Sequence, residues 1–318
     1  MSFPPVGPPK VAIVGAGSVG ATLAYAALLR GIARRIALYD IDKTKVEAEA
    51  ADISHGLAFS PVGEIVGSDD IEVCRDAQVV VITAGGKQKP GQSRMELAEE
   101  TVNLTKKLMP QLLEVAPDAT YLMVTNPVDV VTMAALKVSG LPRQQVFGSG
   151  TVLDTARFRY EIGKHIGVAA QSVHAYIVGE HGDTEFPLWT AARVGGVPLL
   201  EWQRDHAKLT ITERDAIADN VLNSAYSIIA GKGATNYAVA LACVRILESV
   251  LRDENRVLSV STWVDDYLGV KDVCLSVPTV VGKQGADERL VLPMSPDELS
   301  RLHASAESIK NTARKFGF

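Results

Sequence analysis

The apolar run Val11-Ala12-Ile13-Val14 passes directly into Gly15-Ala16-Gly17-Ser18-Val19-Gly20, and a helix-like segment follows over 18–29. A strand, a glycine-rich turn and a helix in that order form the fingerprint of a dinucleotide-binding unit. Gly15 makes the tight turn, Gly17 lets backbone amides approach a pyrophosphate, and Gly20 lets the helix lie close on the strand. The glycine turn by itself is a weak signal, because such turns are common after strands. Asp40 gives it weight: it closes the next apolar run, 20 residues after Gly20. A carboxylate there accepts hydrogen bonds from ribose hydroxyls and repels a 2′-phosphate, which points to NAD.

The rest of the first half repeats the same rhythm. Residues 10–14, 35–39, 64–66, 79–83, 120–124 and 145–147 read as strands. Helical patterns over 18–29, 43–55 and 94–115 lie between several of them, with Pro110 expected to kink or split the last. Strand and helix in alternation predict a doubly wound, Rossmann-type parallel sheet. Near residue 150 the rhythm changes. A helix over 154–165 precedes strands at 172–178 and 186–194, then long helices over 213–230 and 234–251. Strands at 256–264, 273–281 and 289–292 and a last helix over 296–315 complete an α+β pattern. The expected division is a disordered arm at 1–9, an NAD-binding domain over 10–149 and a catalytic α+β domain over 150–318.

Composition removes several function classes. A formal net charge of −5 without a basic stripe argues against a nucleic-acid partner. No run of 18 apolar residues is present, and the proline-rich start does not resemble a signal peptide, so a cytoplasmic protein without a membrane segment is expected. Cys74, Cys243 and Cys274 lie far apart without metal-like spacing and read as small buried apolar residues; no metal is expected.

The candidate chemistry lies elsewhere. His181, in Gly179-Glu180-His181-Gly182-Asp183, follows a strand-like run, and an imidazole is the natural group to exchange a proton near neutral pH. Asp154 and Arg157 lie three apart on one helix face, where the acid can orient an imidazole and the guanidinium can grip a carboxylate. Asn126, in Thr125-Asn126-Pro127-Val128-Asp129, ends another strand and can donate to a substrate oxygen. The stretch from Gly85 and Gly86 through Gln88, Pro90 and Gly91 to Arg94 follows the apolar run 79–83, the place where parallel sheets bind ligands. Its glycines and proline suit a closing loop that carries one cation, Arg94.

Together these motifs, in this order and across essentially the whole chain from Lys10, resemble the NAD-dependent lactate and malate dehydrogenases, of the bacterial allosteric type. Gly148-Ser149-Gly150 and Leu153-Asp154-Thr155-Ala156-Arg157-Phe158-Arg159 belong to the same resemblance. It implies hydride exchange between NAD and a 2-hydroxy acid, with His181 as proton donor and acceptor paired to Asp154. Arg157 would bind the substrate carboxylate, Arg94 would polarise the reacting carbonyl and Asn126 would hydrogen-bond its oxygen. Thr235 would line the substrate pocket, with Val124 and Ser149 near the nicotinamide, and Gly15, Gly17, Val19, Gly20, Asp40, Lys45, Gly85 and Gly86 would join Val124, Asn126 and Ser149 in holding the cofactor. The position of Gln88 would face the far end of the substrate, where glutamine goes with lactate and arginine with malate. L-Lactate and pyruvate are therefore the expected pair. Arg159 and His174 match positions that bind fructose 1,6-bisphosphate, and a homotetramer is implied. The rival readings are a malate or other 2-hydroxy acid dehydrogenase and a non-catalytic NAD-binding protein.

Overall fold

The structure, a computed structural model, describes residues 9–61, 63–86, 94–204 and 207–318, without the side chains of residues 94, 204, 207 and 208. Apart from Pro9, the arm expected at 1–9 lies outside the described residues, and so do Gln88 and the rest of 87–93.

β1 (Lys10–Val14), β2 (Arg35–Tyr39), β3 (Glu64–Ser68), β4 (Val79–Ile82), β5 (Thr120–Met123) and β6 (Val146–Gly148) pair parallel. Every residue of β4 and β5 is buried, as required when helices cover both faces of a sheet. One face packs against α1 (Ser18–Leu29) and α2 (Lys43–His55), the other against α3 (Arg94–Val115) and α4 (Val128–Ser139). The order β3-β2-β1-β4-β5-β6 places the switch between β1 and β4, so the loops after these two strands diverge and leave a crevice for a ligand. Pro110 sits inside α3 without splitting it.

The second half opens with α5 (Val152–Ile166) and short strands β7 (Val173–His174), β8 (Ile177–Val178), β9 (Phe186–Pro187), β10 (Arg193–Val194), β11 (Val197–Pro198), β12 (Gln203–Arg204) and β13 (Ala207–Lys208). Then come α6 (Ile211–Lys232), α7 (Tyr237–Leu251), β14 (Arg256–Val264), β15 (Val273–Gly282), β16 (Gly285–Arg289) and α8 (Pro296–Arg314). Thr210 with Glu213, and Ser295 with Glu298, close capping boxes that fix the starts of α6 and α8. α7 packs on the α1 face of the sheet and α8 on the α4 face.

The structure departs from the sequence expectations in four places. β14, β15 and β16 do not form a separate sheet. They continue the first one antiparallel through Ser261 opposite Gly148, giving nine strands and covering the edge that β6 would otherwise expose. The run 172–178 breaks into β7 and β8. The run 186–194 keeps only its ends as strand: Pro187 removes a ladder donor, and Trp189 packs edge-on against Phe158 of α5 at 4.8 Å. The last strand lies at Gly285–Arg289, a few residues before the expected 289–292.

Cys74, Cys243 and Cys274 are buried and free, and burial pushes the Cys74 and Cys243 thiols up to about 12, leaving them inert. Among the described residues no helix is long and apolar enough to cross a membrane.

Candidate active site

At the nucleotide end, β1 turns into α1 through Gly15, whose φ of +109° only glycine adopts without strain. A Cβ on Gly20 would lie 1.8 Å from the Gly15 carbonyl oxygen, so the helix sits as close to the turn as the backbone permits. Nothing lies within 4 Å of where a Cβ on Gly17 would be, which leaves room for a pyrophosphate. Gly17 also caps α1 without a side-chain hydrogen bond, so the positive helix terminus faces that space. Asp40 follows β2 and accepts the Ala16 N–H at 2.7 Å and the Asp42 N–H at 3.1 Å. Its carboxylate therefore also braces the glycine turn, and each oxygen keeps a second lone pair for a ribose hydroxyl. The Lys45 N–H is held by Asp42, the cap of α2. A Cβ on Gly85 would fall 2.1 Å from Thr125 Cγ2 and one on Gly86 2.9 Å from Leu97 Cδ1, so these glycines serve close packing as well as any loop motion. This cradle fits a dinucleotide.

Across the sheet, β15 holds the start of the 179–183 turn: Gly179 and Ser276 exchange backbone hydrogen bonds at 2.9 Å. The His181 N–H donates to Asp129 Oδ2 at 2.8 Å, and Ser261 Oγ donates to Asp129 Oδ1 at 2.5 Å. Asp129 is the first functional acid that sequence reasoning missed. It stood inside the quoted Thr125–Asp129 motif, but its partners lie 52 and 132 residues away along the chain. Burial pushes its carboxyl up to about 6, against the pull of Ser261 and the His181 N–H.

α5 brings Asp154 and Arg157 to the same place. Asp154 Oδ2 is 2.8 Å from His181 Nδ1, while Arg157 Nη1 donates to Asp154 Oδ1 at 2.8 Å. The Asp154 side chain is 3% exposed and that of Arg157 14%. Burial alone would lower the histidine pKa, but the charge and hydrogen bond of Asp154 outweigh it and raise His181 to about 9. The imidazole is therefore a cation at pH 7, with Nδ1 fixed by Asp154 and Nε2 left to carry a proton to a ligand. Burial raises Asp154 too, yet His181 and Arg157 hold it below the usual carboxylate range. Arg157 gives one Nη1 hydrogen to Asp154, which leaves its remaining guanidinium donors for a ligand. Glu185, the second acid missed from sequence, ends with Oε2 3.9 Å from His181 Nδ1.

A cavity of about 270 Å³ joins the two ends. Val19, Val124 and Ser149 line it near the glycine turn; Asn126, Arg157, His181 and Thr235 line it on the chemical side. Asn126 Oδ1 accepts the Val128 N–H at 3.3 Å, and its amide NH2 supplies donors. Ala225 and Ile229 of α6 close the wall, an apolar contribution that sequence spacing did not single out. Arg94 begins α3, but its side chain, like Gln88, lies outside the described residues.

Arg159 points to the other side of α5, as a two-residue step of about 200° requires. Its Nε donates to the Ala175 carbonyl at 2.9 Å and its guanidinium lies 5.1 Å over the Tyr176 ring. His174 is exposed on β7, next in chain to Ala175.

The comparisons with known proteins agree with this geometry. Residues 9–148 match the lactate/malate dehydrogenase NAD binding domain, and 151–316 match the family's alpha/beta C-terminal domain. An L-lactate dehydrogenase of Bifidobacterium animalis subsp. lactis is 54% identical over 316 residues, 99% of each chain. One from Clostridium botulinum is 43% identical over 305 residues, 95% of each chain. Among solved structures, the minor L-lactate dehydrogenase of Enterococcus mundtii, in a ligand-bound form, is 38% identical with a TM-score of 0.93, covering 96% of this chain and 98% of that one. An NAD cradle, a charged histidine–aspartate pair and an arginine share one crevice in the expected order, and the chain belongs to the lactate/malate dehydrogenase family.

Proposed function

We propose that the protein is an NAD-dependent L-lactate dehydrogenase that interconverts pyruvate and L-lactate. The observation that carries this reading is the His181–Asp154–Arg157 set, opening on the same cavity as the glycine turn. NADH, when bound, supplies the hydride that reaches C2 of the 2-oxo acid. Arg157 grips the substrate carboxylate and so fixes which face of the carbonyl is presented. Asn126 donates to the reacting oxygen, and Arg94 adds its charge there. His181 Nε2 holds the proton that this oxygen receives, and Asp154 stabilises the imidazolium before the transfer. In lactate oxidation the same nitrogen takes the proton back. The apolar wall from Ala225 and Ile229 and the neutral amide of Gln88 favour a methyl group over a second carboxylate at the far end of the substrate.

Pyruvate and oxaloacetate saturation curves, followed by NADH absorbance with and without fructose 1,6-bisphosphate, test this directly. Efficient use of pyruvate is expected; a strong preference for oxaloacetate would move the protein to malate, and no turnover would leave an NAD-binding protein. The bisphosphate is expected to lower the pyruvate concentration needed for half-saturation by acting at Arg159 and His174. Support for that site is the approach of Arg159 to Ala175, beside the exposed His174. Superimposable curves would reject it. A homotetramer is the expected assembly. Tyr226, whose hydroxyl donates to Asp183, and Ile228 on α6 are large side chains left exposed in the single chain. Light scattering that gave the mass of one chain would refute it.

A further inference from the structure

Glu185 is an acid almost closed off from water beside the proton-carrying pair. Its side chain is 6% exposed, its Oε2 lies 3.9 Å from His181 Nδ1, and the Gly182 N–H donates to its carboxyl. One ligand-type atom each from Glu185, Asp154 and His181 fall within 4.8 Å of one another. α5 presents Asp154 and Arg157 to this group, and from α4 Asp129 reaches His181 on its backbone side. Glu180, on the same turn, is directed away: its Oε2 accepts from Thr184 Oγ1 at 2.5 Å and from Ser308 Oγ of α8 at 3.1 Å.

The charge balance of this cluster changes during turnover. While His181 is a cation, a Glu185 carboxylate faces a positive ring. Once His181 has given up its proton, Glu185 and Asp154 would be two neighbouring anions beside a neutral ring. Arg157, in this reading, is then engaged by the substrate carboxylate. Two carboxylates in a poorly solvated site do not both stay ionised. We propose that Glu185 is a positioning residue that acts on the reaction through His181. As a carboxylate it holds the imidazolium against proton loss on the alkaline side. By taking a proton from solvent it relieves its repulsion with Asp154 once the imidazole is neutral. Burial and the charge of Asp154 push Glu185 up to about 8, while His181, Arg157 and the Gly182 N–H pull it down.

The proposal rests on the hydride-transfer reading above, so its test has one readout with turnover and one without. In wild type, pyruvate reduction holds until His181 loses its proton. In E185Q the alkaline limb is expected to move down by about one pH unit, a loss relative to wild type about fivefold larger at pH 9 than at pH 6. E185D, which keeps the carboxyl group, is expected to restore most of the limb. The second readout is carbethoxylation of His181 by diethyl pyrocarbonate, located by peptide mass spectrometry, which reports neutral imidazole without any substrate. Its pH midpoint is expected to fall by the same step in E185Q, and E185S serves where E185Q gives no folded protein. An unchanged midpoint, or a loss equal at pH 6 and pH 9, overturns the proposal. A wild-type protein inert toward pyruvate would instead remove the dehydrogenase reading, while the carbethoxylation midpoint still decides the role of Glu185.

Discussion

Replacing Asp154 with asparagine is expected to lower kcat/KM for pyruvate at pH 7 by a factor on the order of 10²–10⁴, the span covered by general acid–base catalysis and by loss of a triad acid. Two effects combine. The first is protonation: Asp154 is what lifts His181 to about 9 against the opposing effect of burial. Without that charge the lowering by burial is less opposed, so the folded pKa falls from about 9 and the alkaline limb of pyruvate reduction moves to lower pH. The second is orientation. A carboxylate at Nδ1 accepts a hydrogen bond only, whereas an amide can donate and stabilise the wrong tautomer. The equilibrium between pyruvate and lactate belongs to the reactants, so lactate oxidation falls with pyruvate reduction at a given pH. Removing one partner of a buried ion pair also costs about 3–5 kcal/mol of stability, and a lower Tm should accompany the kinetic change. A pH–rate profile of folded D154N checks the first effect. An alkaline limb still near pH 9 would contradict the role given to Asp154.

The second large effect is on choice of substrate. Gln88→Arg is expected to change the ratio of kcat/KM for pyruvate over oxaloacetate by about 10²–10⁴ toward oxaloacetate. An unpaired carboxylate shut into a pocket costs several kcal/mol, and every 1.4 kcal/mol is a factor of ten. In the proposed reading position 88 faces the far end of the substrate, where a guanidinium would remove that cost for oxaloacetate and would face a lone methyl group in pyruvate. Arg94→Gln, by contrast, should slow both substrates, because in the proposed mechanism the charge it removes acts on the reacting oxygen common to them. Parallel saturation curves for wild type, Q88R and R94Q provide the comparison. A Q88R protein with an unchanged ratio would show that Gln88 does not select the substrate.

Much of the fold was legible because it is encoded locally. β1, β2 and β14 and helices α1, α2 and α3 fall where the apolar spacing placed them, and most other boundaries moved by one to three residues. The larger misses have physical causes. Residues 186–194 carry a strand-like run of apolar residues, but Trp189 uses its apolarity to pack on Phe158, and a proline interrupts the ladder. Pro110 did not split α3, whose buried residues Leu108, Met109 and Leu112 anchor the turns around it. Helix propensity yields to tertiary burial where enough apolar surface is at stake.

Parts whose chemistry depends on near neighbours are written in the chain itself: the glycine turn with Asp40, the three-residue step that joins Asp154 to Arg157, and the turn that carries His181. How those parts meet is set by long-range packing. It joined His181 to Asp154 across 27 residues, fixed the His181 backbone on Asp129 across 52, and ran β14 alongside β6 so that one sheet serves both halves. It also put Glu185 beside the imidazole, two residues beyond the motif that marked the site. The reason is the same in each case. A residue's type sets what it can donate, accept or ionise, but the proton affinity of an imidazole is set by which charges lie within a few ångströms and how much water is excluded, and both are properties of long-range packing.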